Sequence, residues 1–187
     1  MLRKGIGIAL IACSAVAQKL VLQPGSTLTI EGTSTLHAWK AAATELALAG
    51  HATASPGPLR WTLVDAVLRI PVHGLKSGTE GLDRNMYEDL KAERYPVITF
   101  RLKECLPAGE PKGSEIPVRV TGWLTVAGKE RLVEIPATWV TQGQRIRVMG
   151  STTLRMTDFG IKPRTFMVVM KVHDPVRVDF DVLFEVR

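Results

Sequence analysis

The carboxyl-terminal segment 176–186 alternates between apolar and polar side chains over most of its length. Its sequence, VRVDFDVLFEV, places valine or phenylalanine at every second position, with Arg177, Asp179 and Asp181 between them. Successive side chains of a β-strand point to opposite faces, so this period of two predicts a strand with one buried and one solvated face. Strands of this kind are typical of antiparallel sheets, which commonly pack only one face against a core.

The same pattern recurs along the chain and predicts an all-β fold. VRVTGWLTVAG, RLVEIPATWV and RIRVMGSTTLRM alternate in the same way, and we count about eight such strands joined by turns rich in glycine, proline and polar residues. The 187 residues are typical of one domain, and no linker or change in composition divides them. Because several strands are long, we predict that the sheet closes into an antiparallel eight-stranded barrel, which is wide enough for one slender ligand.

One stretch, KSGTEGLDRNMYEDLKAERYPVITF, breaks the β pattern. Leu82, Met86 and Leu90 recur at every fourth position and therefore share one face of a helix. The proline in RYPV disfavours helical geometry in the residue before it, which ends the helix. The pattern predicts one amphipathic helix over residues 80–94, inserted between strands. It would serve as a plug over an open barrel end or as a lid over a ligand cavity, and the two roles are compatible.

The first 17 residues differ from the rest of the chain. MLRK is a basic start, GIGIALIAC is a short apolar run, and Ala15 and Ala17 supply small residues before a cleavage point. This order is typical of a secretory signal peptide, since the apolar run is shorter than the ~20 residues that span a bilayer. LIAC also has the form of a lipoprotein cleavage box, in which Cys13 would carry a lipid anchor. We therefore expect a periplasmic or secreted protein with a mature domain over residues 18–187, and a membrane-anchored lipoprotein is the alternative.

Charge and cysteine content argue against other classes of protein. Removal of residues 1–17 takes away Arg3 and Lys4 and no acidic residue, so the net charge falls from +6 to +4. The remaining basic residues are scattered through strands rather than clustered in a stripe, which argues against nucleic-acid binding. Cys105 is then the only cysteine left, so we expect no internal disulfide framework.

Sequence patterns of catalysis and metal binding are missing. The chain has no GxSxG, no phosphate-binding loop and no dinucleotide-binding glycine motif after a strand. The HxH or HExxH spacing that brings two metal ligands to one face is also missing from the four histidines, His37, His51, His73 and His173. We therefore predict no catalytic site, no metal and no cofactor. A buried carboxylate–histidine pair, such as His37 beside Asp158 or Glu31, would instead indicate an enzyme.

Three stretches of the sequence resemble the YceI-like family of exported bacterial proteins. They are EGTSTLHAW, LDRNMYEDLKAERYPVITF, and VTGWLTVAGKERLVEI followed by LRMTDFGI. In order and spacing the similarity covers residues 24–187. The resemblance implies a lipocalin-like barrel that holds a polyisoprenoid, a quinone or a similar amphiphilic lipid, for transport, storage or stress protection. It implies no catalytic residues.

A site for such a lipid needs an apolar wall and a few polar groups at its mouth. Burial of the apolar tail would supply the free energy of binding. A pyrophosphate head group would need arginine or lysine, and a quinone would need a hydroxyl, histidine or indole donor. The predicted wall residues are Met86, Leu90, Phe100, Leu124, Met156 and Phe159. The predicted mouth residues are His37, Trp39, Arg84, Asn85 and Arg164. Each wall residue is equally consistent with plain core packing, because the inside of a small barrel is both core and pocket.

Two classes of function stay open at this point. A lipid-binding protein would keep a cavity inside the barrel. A filled barrel with a structural or interaction role in the cell envelope, and with no ligand, would close its interior with bulky side chains such as Trp61, Trp123, Trp139 and Phe180. A homodimer formed through an exposed barrel edge is a further open alternative.

Overall fold

The computed structural model describes residues 16–166 and 170–187. The predicted lipid-anchor residue Cys13 and most of the predicted signal peptide therefore lie outside the described residues. The described chain forms strands β1 to β12, one α-helix, and short 3-10 helices at Val72–Gly74 and Met156–Phe159. In chain order the strands and the helix are β1 Gln18–Leu22, β2 Thr27–Ser34, β3 Ala38–Ala43, β4 Ala47–Ala54, β5 Trp61–Pro71, β6 Leu75–Lys76, α1 Glu80–Asp89, β7 Val97–Pro107, β8 Glu115–Val126, β9 Lys129–Gln142, β10 Arg145–Arg155, β11 Thr165–Phe166 and β12 Met170–Val186.

The long strand β12 closes the sheet into a barrel. Along one edge it pairs with β10, and along the other it pairs first with β2 and then, near its end, with β1. The sheet continues from β1 through β4, β5, β7, β8 and β9 back to β10, while β2 continues to β3 and β6. Three of the eight strand positions are thus each shared by two strands. These are β1 with β2, β4 with β3, and β5 with β6. All pairings are antiparallel, which confirms the predicted eight-stranded antiparallel barrel.

Irregular pairing accompanies the curvature of this sheet. The register shifts between Ala49 and His51 in β4, between Leu102 and Glu104 in β7, and between Val172 and Val176 in β12. An extra residue in one strand bends it and increases its local twist. These irregularities therefore favour closure of the barrel.

The interior of the barrel contains two hydrophobic clusters, which we call the filled half and the open half. The filled half is centred on Trp139, which is only 1% exposed. The Trp139 indole N–H donates a hydrogen bond of 2.6 Å to the Thr141 hydroxyl, so the polar atom of the ring is satisfied inside the core. The other buried members of the filled half are Leu20, Ala52, Leu59, Ala66, Ile116, Val118, Val120, Ile146, Val182, Phe184 and Val186.

The open half lies beneath α1. Its buried members are Leu28, Ile70, Val72, Leu75, Leu90, Ala92, Leu124, Ala127, Phe159 and Ile161. The closure by bulky side chains that a filled barrel would require is found around Trp139, with Trp61 and Phe180 packed against that cluster. Trp123 is partly buried and pairs across the sheet with the exposed Leu132.

Helix α1 is shorter than the predicted span of 80–94. It ends at Asp89, and Lys91 adopts a left-handed backbone conformation with φ of 55°. The Lys91 N–H bonds to the carbonyl of Glu88, and the Ala92 N–H bonds to the carbonyl of Tyr87. This pair of bonds is the Schellman arrangement that terminates helices. The prediction extended the helix too far because lysine, rather than glycine, occupies the left-handed position.

Cys105 lies in β7 and packs against the filled half. Burial raises the pKa of its thiol to about 11 from an ordinary value of 9.0. Because the thiolate is the reactive form, we expect slow alkylation of Cys105 by iodoacetamide at pH 8 in the folded protein and fast alkylation in urea. Above pH 9.0 the unfolded thiol ionises before the folded one, so this group makes folding less favourable as the pH rises. Peptide mass spectrometry measures the modification, and equal rates in the two states would contradict the burial argument.

Candidate functional site

A cavity of about 670 Å³ occupies the open half of the barrel. Strands contribute inward-facing aliphatic side chains such as Ile30, Ile70, Ile98, Val126 and Val178. Each of these comes from a different strand and belongs to the apolar face that period-two alternation creates. The result is a largely apolar chamber with polar side chains near one end.

Helix α1 forms the cover of this chamber. Leu82, Met86 and Leu90 all line the cavity, which confirms the helical face predicted from their spacing. Asn85 and Asp89 line it as well, so the inner face of the helix carries polar groups beside the apolar ones. The helix therefore acts as a lid with a mixed inner surface.

Arg164 fastens the lid to the segment that precedes β11. Its Nε donates to both carboxylate oxygens of Asp89 at 2.8 Å, and one of its terminal nitrogens donates to Glu88 at 2.8 Å. Its terminal nitrogens also donate to the side chain and to the backbone carbonyl of Asn85, both at 3.2 Å. The carboxylates of Asp89 and Glu88 raise the pKa of Arg164. This side chain was predicted to bind a head group, but its donors are engaged by the helix.

The chain that precedes the lid holds it through a second set of contacts. Ser77 donates two hydrogen bonds to the carboxylate of Asp83, from its hydroxyl at 2.6 Å and from its backbone N–H at 2.7 Å. These bonds lower the pKa of Asp83. The Tyr87 hydroxyl donates to the carbonyl of Leu75 at 2.7 Å. The lid is therefore anchored to the chain on both sides of the cavity.

The hairpin between β2 and β3 contributes a rim of the cavity. Trp39 lines the cavity and stands directly opposite Gly32 in the β2–β3 pairing. A Cβ atom on Gly32 would lie only 2.2 Å from the Trp39 ring, so the indole sits where a side chain of Gly32 would be. His37 lies at the tip of the same hairpin, is exposed, and also borders the cavity. Indole and imidazole donors are thus available near the polar end.

The predicted site residues are distributed unevenly around this cavity. The lining includes Met86, Leu90, Leu124, Met156 and Phe159 of the predicted wall and His37, Trp39, Asn85 and Arg164 of the predicted mouth. Phe100 is not part of the lining, because it packs deeper, between the two clusters. Arg84 is exposed on the lid and does not line the cavity either. Their ligand-binding roles stay predictions.

Sequence reasoning missed several lining residues. Ile70, Ile98, Val126 and Val178 line the cavity, and the alternation of their strands was a sufficient signal to place them on the inward face. Arg155 also borders the cavity, at the end of β10, and is exposed. No periodic pattern marks it, because its position depends on where the strand meets the rim.

Charged side chains are not buried in the described part of the chain. Thr121 is the one polar residue buried in that part of the chain. His37 and Asp158 are exposed, and Glu31 pairs with Lys40 at 2.7 Å.

Within residues 16–166 and 170–187, no cluster of histidine, cysteine or acidic side chains has the arrangement of a metal site. The same residues contain no helix of the length and hydrophobicity needed to cross a membrane.

A closed antiparallel barrel with an internal apolar cavity and a helical lid defines a lipocalin-like protein. Within that class, the model of the YceI-like domain matches residues 23–184. The chain therefore belongs to the YceI-like family, as the sequence resemblance predicted. No curated protein matches the chain in sequence.

Solved structures share this fold at low sequence identity. BcnA of Burkholderia cenocepacia is 20% identical, with a TM-score of 0.71 over 87% of this chain and 99% of that one. A polyisoprenoid binding domain from Saccharophagus degradans, implicated in plant cell wall breakdown, is 16% identical, with a TM-score of 0.66 over 91% and 99%. The YceI protein of Campylobacter jejuni is 13% identical, with a TM-score of 0.59 over 98% and 93%.

Replacement of Arg164 tests its role as the fastening of the lid. In Arg164→Met the charge-assisted hydrogen bonds to Asp89 and Glu88 are lost, so we expect the free energy of unfolding to fall by about 1–2 kcal/mol. Amide hydrogen exchange in α1 should become faster, because the helix would lose its contacts with the segment that precedes β11. Arg84→Met, on the exposed side of the same helix, is the matched control and should change neither quantity. Unchanged exchange in Arg164→Met would contradict the fastening role.

Proposed function

We propose that this protein binds an amphiphilic lipid whose tail, an isoprenoid or a similar apolar chain, occupies the cavity of the open half. The observation that carries the proposal is the apolar chamber of about 670 Å³ beneath the lid. Pockets for small ligands typically have volumes of roughly 300–1,000 Å³. Burial of apolar surface contributes about 25 cal/mol per Å², so a chamber lined by aliphatic side chains is sufficient to bind an apolar tail.

The polar end of the cavity favours an uncharged head group, such as a hydroxyl or a quinone. A diphosphate would need free cationic donors. Among the described residues that line the cavity, Arg164 is engaged by Asp89 and Glu88, and Lys40 is paired with Glu31. The third cation of this lining, Arg155, is exposed. His37 and the Trp39 indole supply donors suited to an uncharged oxygen.

A solved structure with the same fold supports this proposal. The Saccharophagus degradans domain with the same fold is described as polyisoprenoid binding. Together with the signal-like residues 1–17, this favours an exported lipid-binding protein with a mature domain over residues 18–187, which serves in transport, storage or stress protection. A periplasmic or secreted location, or a lipid anchor at Cys13, would be distinguished by the mass of the amino-terminal peptide of the exported protein.

Native mass spectrometry of the protein with added lipids tests the proposal. We expect one equivalent of geranylgeraniol to bind, and we expect it to compete successfully with geranylgeranyl diphosphate, which has the same tail and a charged head. Preferred binding of the diphosphate would overturn the head-group assignment and retain the tail assignment. Failure of both to bind, and of palmitic acid as an unrelated apolar chain, would overturn lipid binding and favour a structural or interaction role for the barrel.

A further inference from the structure

The cavity ends abruptly part of the way along the barrel. On β12, Val176 and Val178 line the cavity, whereas Val182 and Phe184 are buried in the filled half. Phe180 lies between these two pairs on the same inward face and packs against both clusters. The boundary between the open and filled halves therefore crosses β12 at Phe180.

Two other strands place the boundary at the same level. On β7, Ile98 lines the cavity, Phe100 packs against both clusters, and Leu102 packs against the filled half. On β5, Ile70 lines the cavity and Leu68 packs against both clusters. Leu68 and Phe100 are also direct partners in the β5–β7 pairing. We call Leu68, Phe100 and Phe180, which lie just beyond the lining at the boundary with the filled half, the floor of the cavity.

Glycines in neighbouring strands hold the two aromatic rings of the floor in place. A Cβ atom on Gly122 would lie 2.4 Å from Cζ of Phe100, and a Cβ atom on Gly150 would lie 2.6 Å from Cζ of Phe180. The rings therefore occupy the space that side chains at these positions would take. Backbone carbonyls close the same spaces from the other side, with the Arg101 and Pro136 oxygens each at 2.7 Å. The floor is thus set by the backbone as well as by its own side chains.

We propose that this floor limits the length of lipid tail that the protein accepts, with Phe180 as the principal specificity-determining residue. The inference rests on the proposed lipid-binding function. From Phe180 to Val186, β12 runs for roughly 20 Å at 3.3 Å per residue, and that part of the barrel is occupied by the filled half. A tail that reaches the floor gains nothing from further carbon atoms inside the barrel, since those atoms would extend into water at the mouth.

Competition between prenyl alcohols in native mass spectrometry tests this limit on tail length. The three alcohols, in order of increasing length, are farnesol, geranylgeraniol and solanesol. We expect affinity to rise from farnesol to geranylgeraniol and to rise no further for solanesol. Phe180→Ala opens the floor toward the filled half, so we expect solanesol to bind about tenfold more tightly relative to farnesol than in the unmodified protein. Phe180→Leu, which keeps an apolar side chain on β12, should shift the preference in the same direction and serves where the alanine variant does not fold.

Phe184→Leu is the matched control, since it makes the same change two positions further along the inward face, within the filled half. It should lower stability and leave the length preference unchanged. The floor would not limit tail length if the unmodified protein bound all three alcohols equally well. The same conclusion would follow if Phe184→Leu and Phe180→Leu shifted the length preference equally. Lipid binding itself would stand in both cases. Failure of every alcohol to bind the unmodified protein would overturn the proposed function itself.

Discussion

Trp139→Ala is expected to lower the free energy of unfolding by about 3–5 kcal/mol, the range measured when a large aromatic side chain is removed from a well-packed core. Trp139 is 1% exposed and its ring contacts Phe184 in an edge-on arrangement with centroids 6.3 Å apart. The substitution also removes the donor to the Thr141 hydroxyl, which itself donates to the carbonyl of Leu59 at 3.2 Å. A cavity and a disrupted hydrogen-bond chain would thus arise together in the filled half.

Urea unfolding followed by circular dichroism measures this loss. Trp123→Ala is the matched control, because Trp123 is only partly buried and pairs with the exposed Leu132. We expect a loss of about 1 kcal/mol there, as for an average substitution. In Trp139→Ala the cavity keeps its lining, so the proposed binding of geranylgeraniol should change little under conditions where the variant is folded. Equal losses in the two tryptophan variants would show that the filled half is not the main source of stability.

Leu90→Glu is expected to abolish lipid binding and to destabilise the fold at the same time. Leu90 caps the carboxyl terminus of α1, is 9% exposed and lines the cavity. A carboxylate at this position would lie in an apolar chamber and near the negative end of the helix dipole, both of which are unfavourable. Together with the lost burial of the leucine side chain, we expect the free energy of unfolding to fall by about 2–4 kcal/mol.

Leu132→Glu provides the same chemical change at an exposed position, since Leu132 is 47% exposed on β9. It should leave both stability and geranylgeraniol binding close to those of the unmodified protein. Leu90→Met keeps an apolar side chain of similar volume and should retain binding. If Leu90→Glu retained both lipid affinity and stability, the lid would not line the binding site, and the placement of the ligand beneath α1 would be wrong.

The barrel could be predicted from the sequence because period-two alternation determines which face of each strand is buried. The same pattern does not determine depth. Phe100 was correctly placed on an inward face but was predicted to line the cavity, whereas it lies at the level of the floor. Depth depends on the register between strands, such as the pairing of Phe100 with Leu124 and of Phe180 with Gly150. Register of this kind is a tertiary property that one strand's sequence does not contain.

The lid was predicted in position and orientation but not in length or in its ionic contacts. Its inner face followed from the spacing of Leu82, Met86 and Leu90. The partners of Arg164 lie 75 and 76 positions earlier in the chain, so nothing local in the sequence connects them. Arg164 was therefore predicted to contact a ligand, whereas in the structure its N–H groups donate hydrogen bonds to the lid.

The division of the barrel interior bears on how such proteins diverge. The side chains that supply most of the buried core around Trp139 are separate from those that line the cavity. Substitutions in the lining that keep an apolar side chain therefore alter the shape of the chamber while the cluster around Trp139 is left intact. Solved relatives retain this fold at identities of 13% to 20%. A barrel organised in this way can change the shape of its chamber through apolar substitutions while the filled half continues to stabilise the fold.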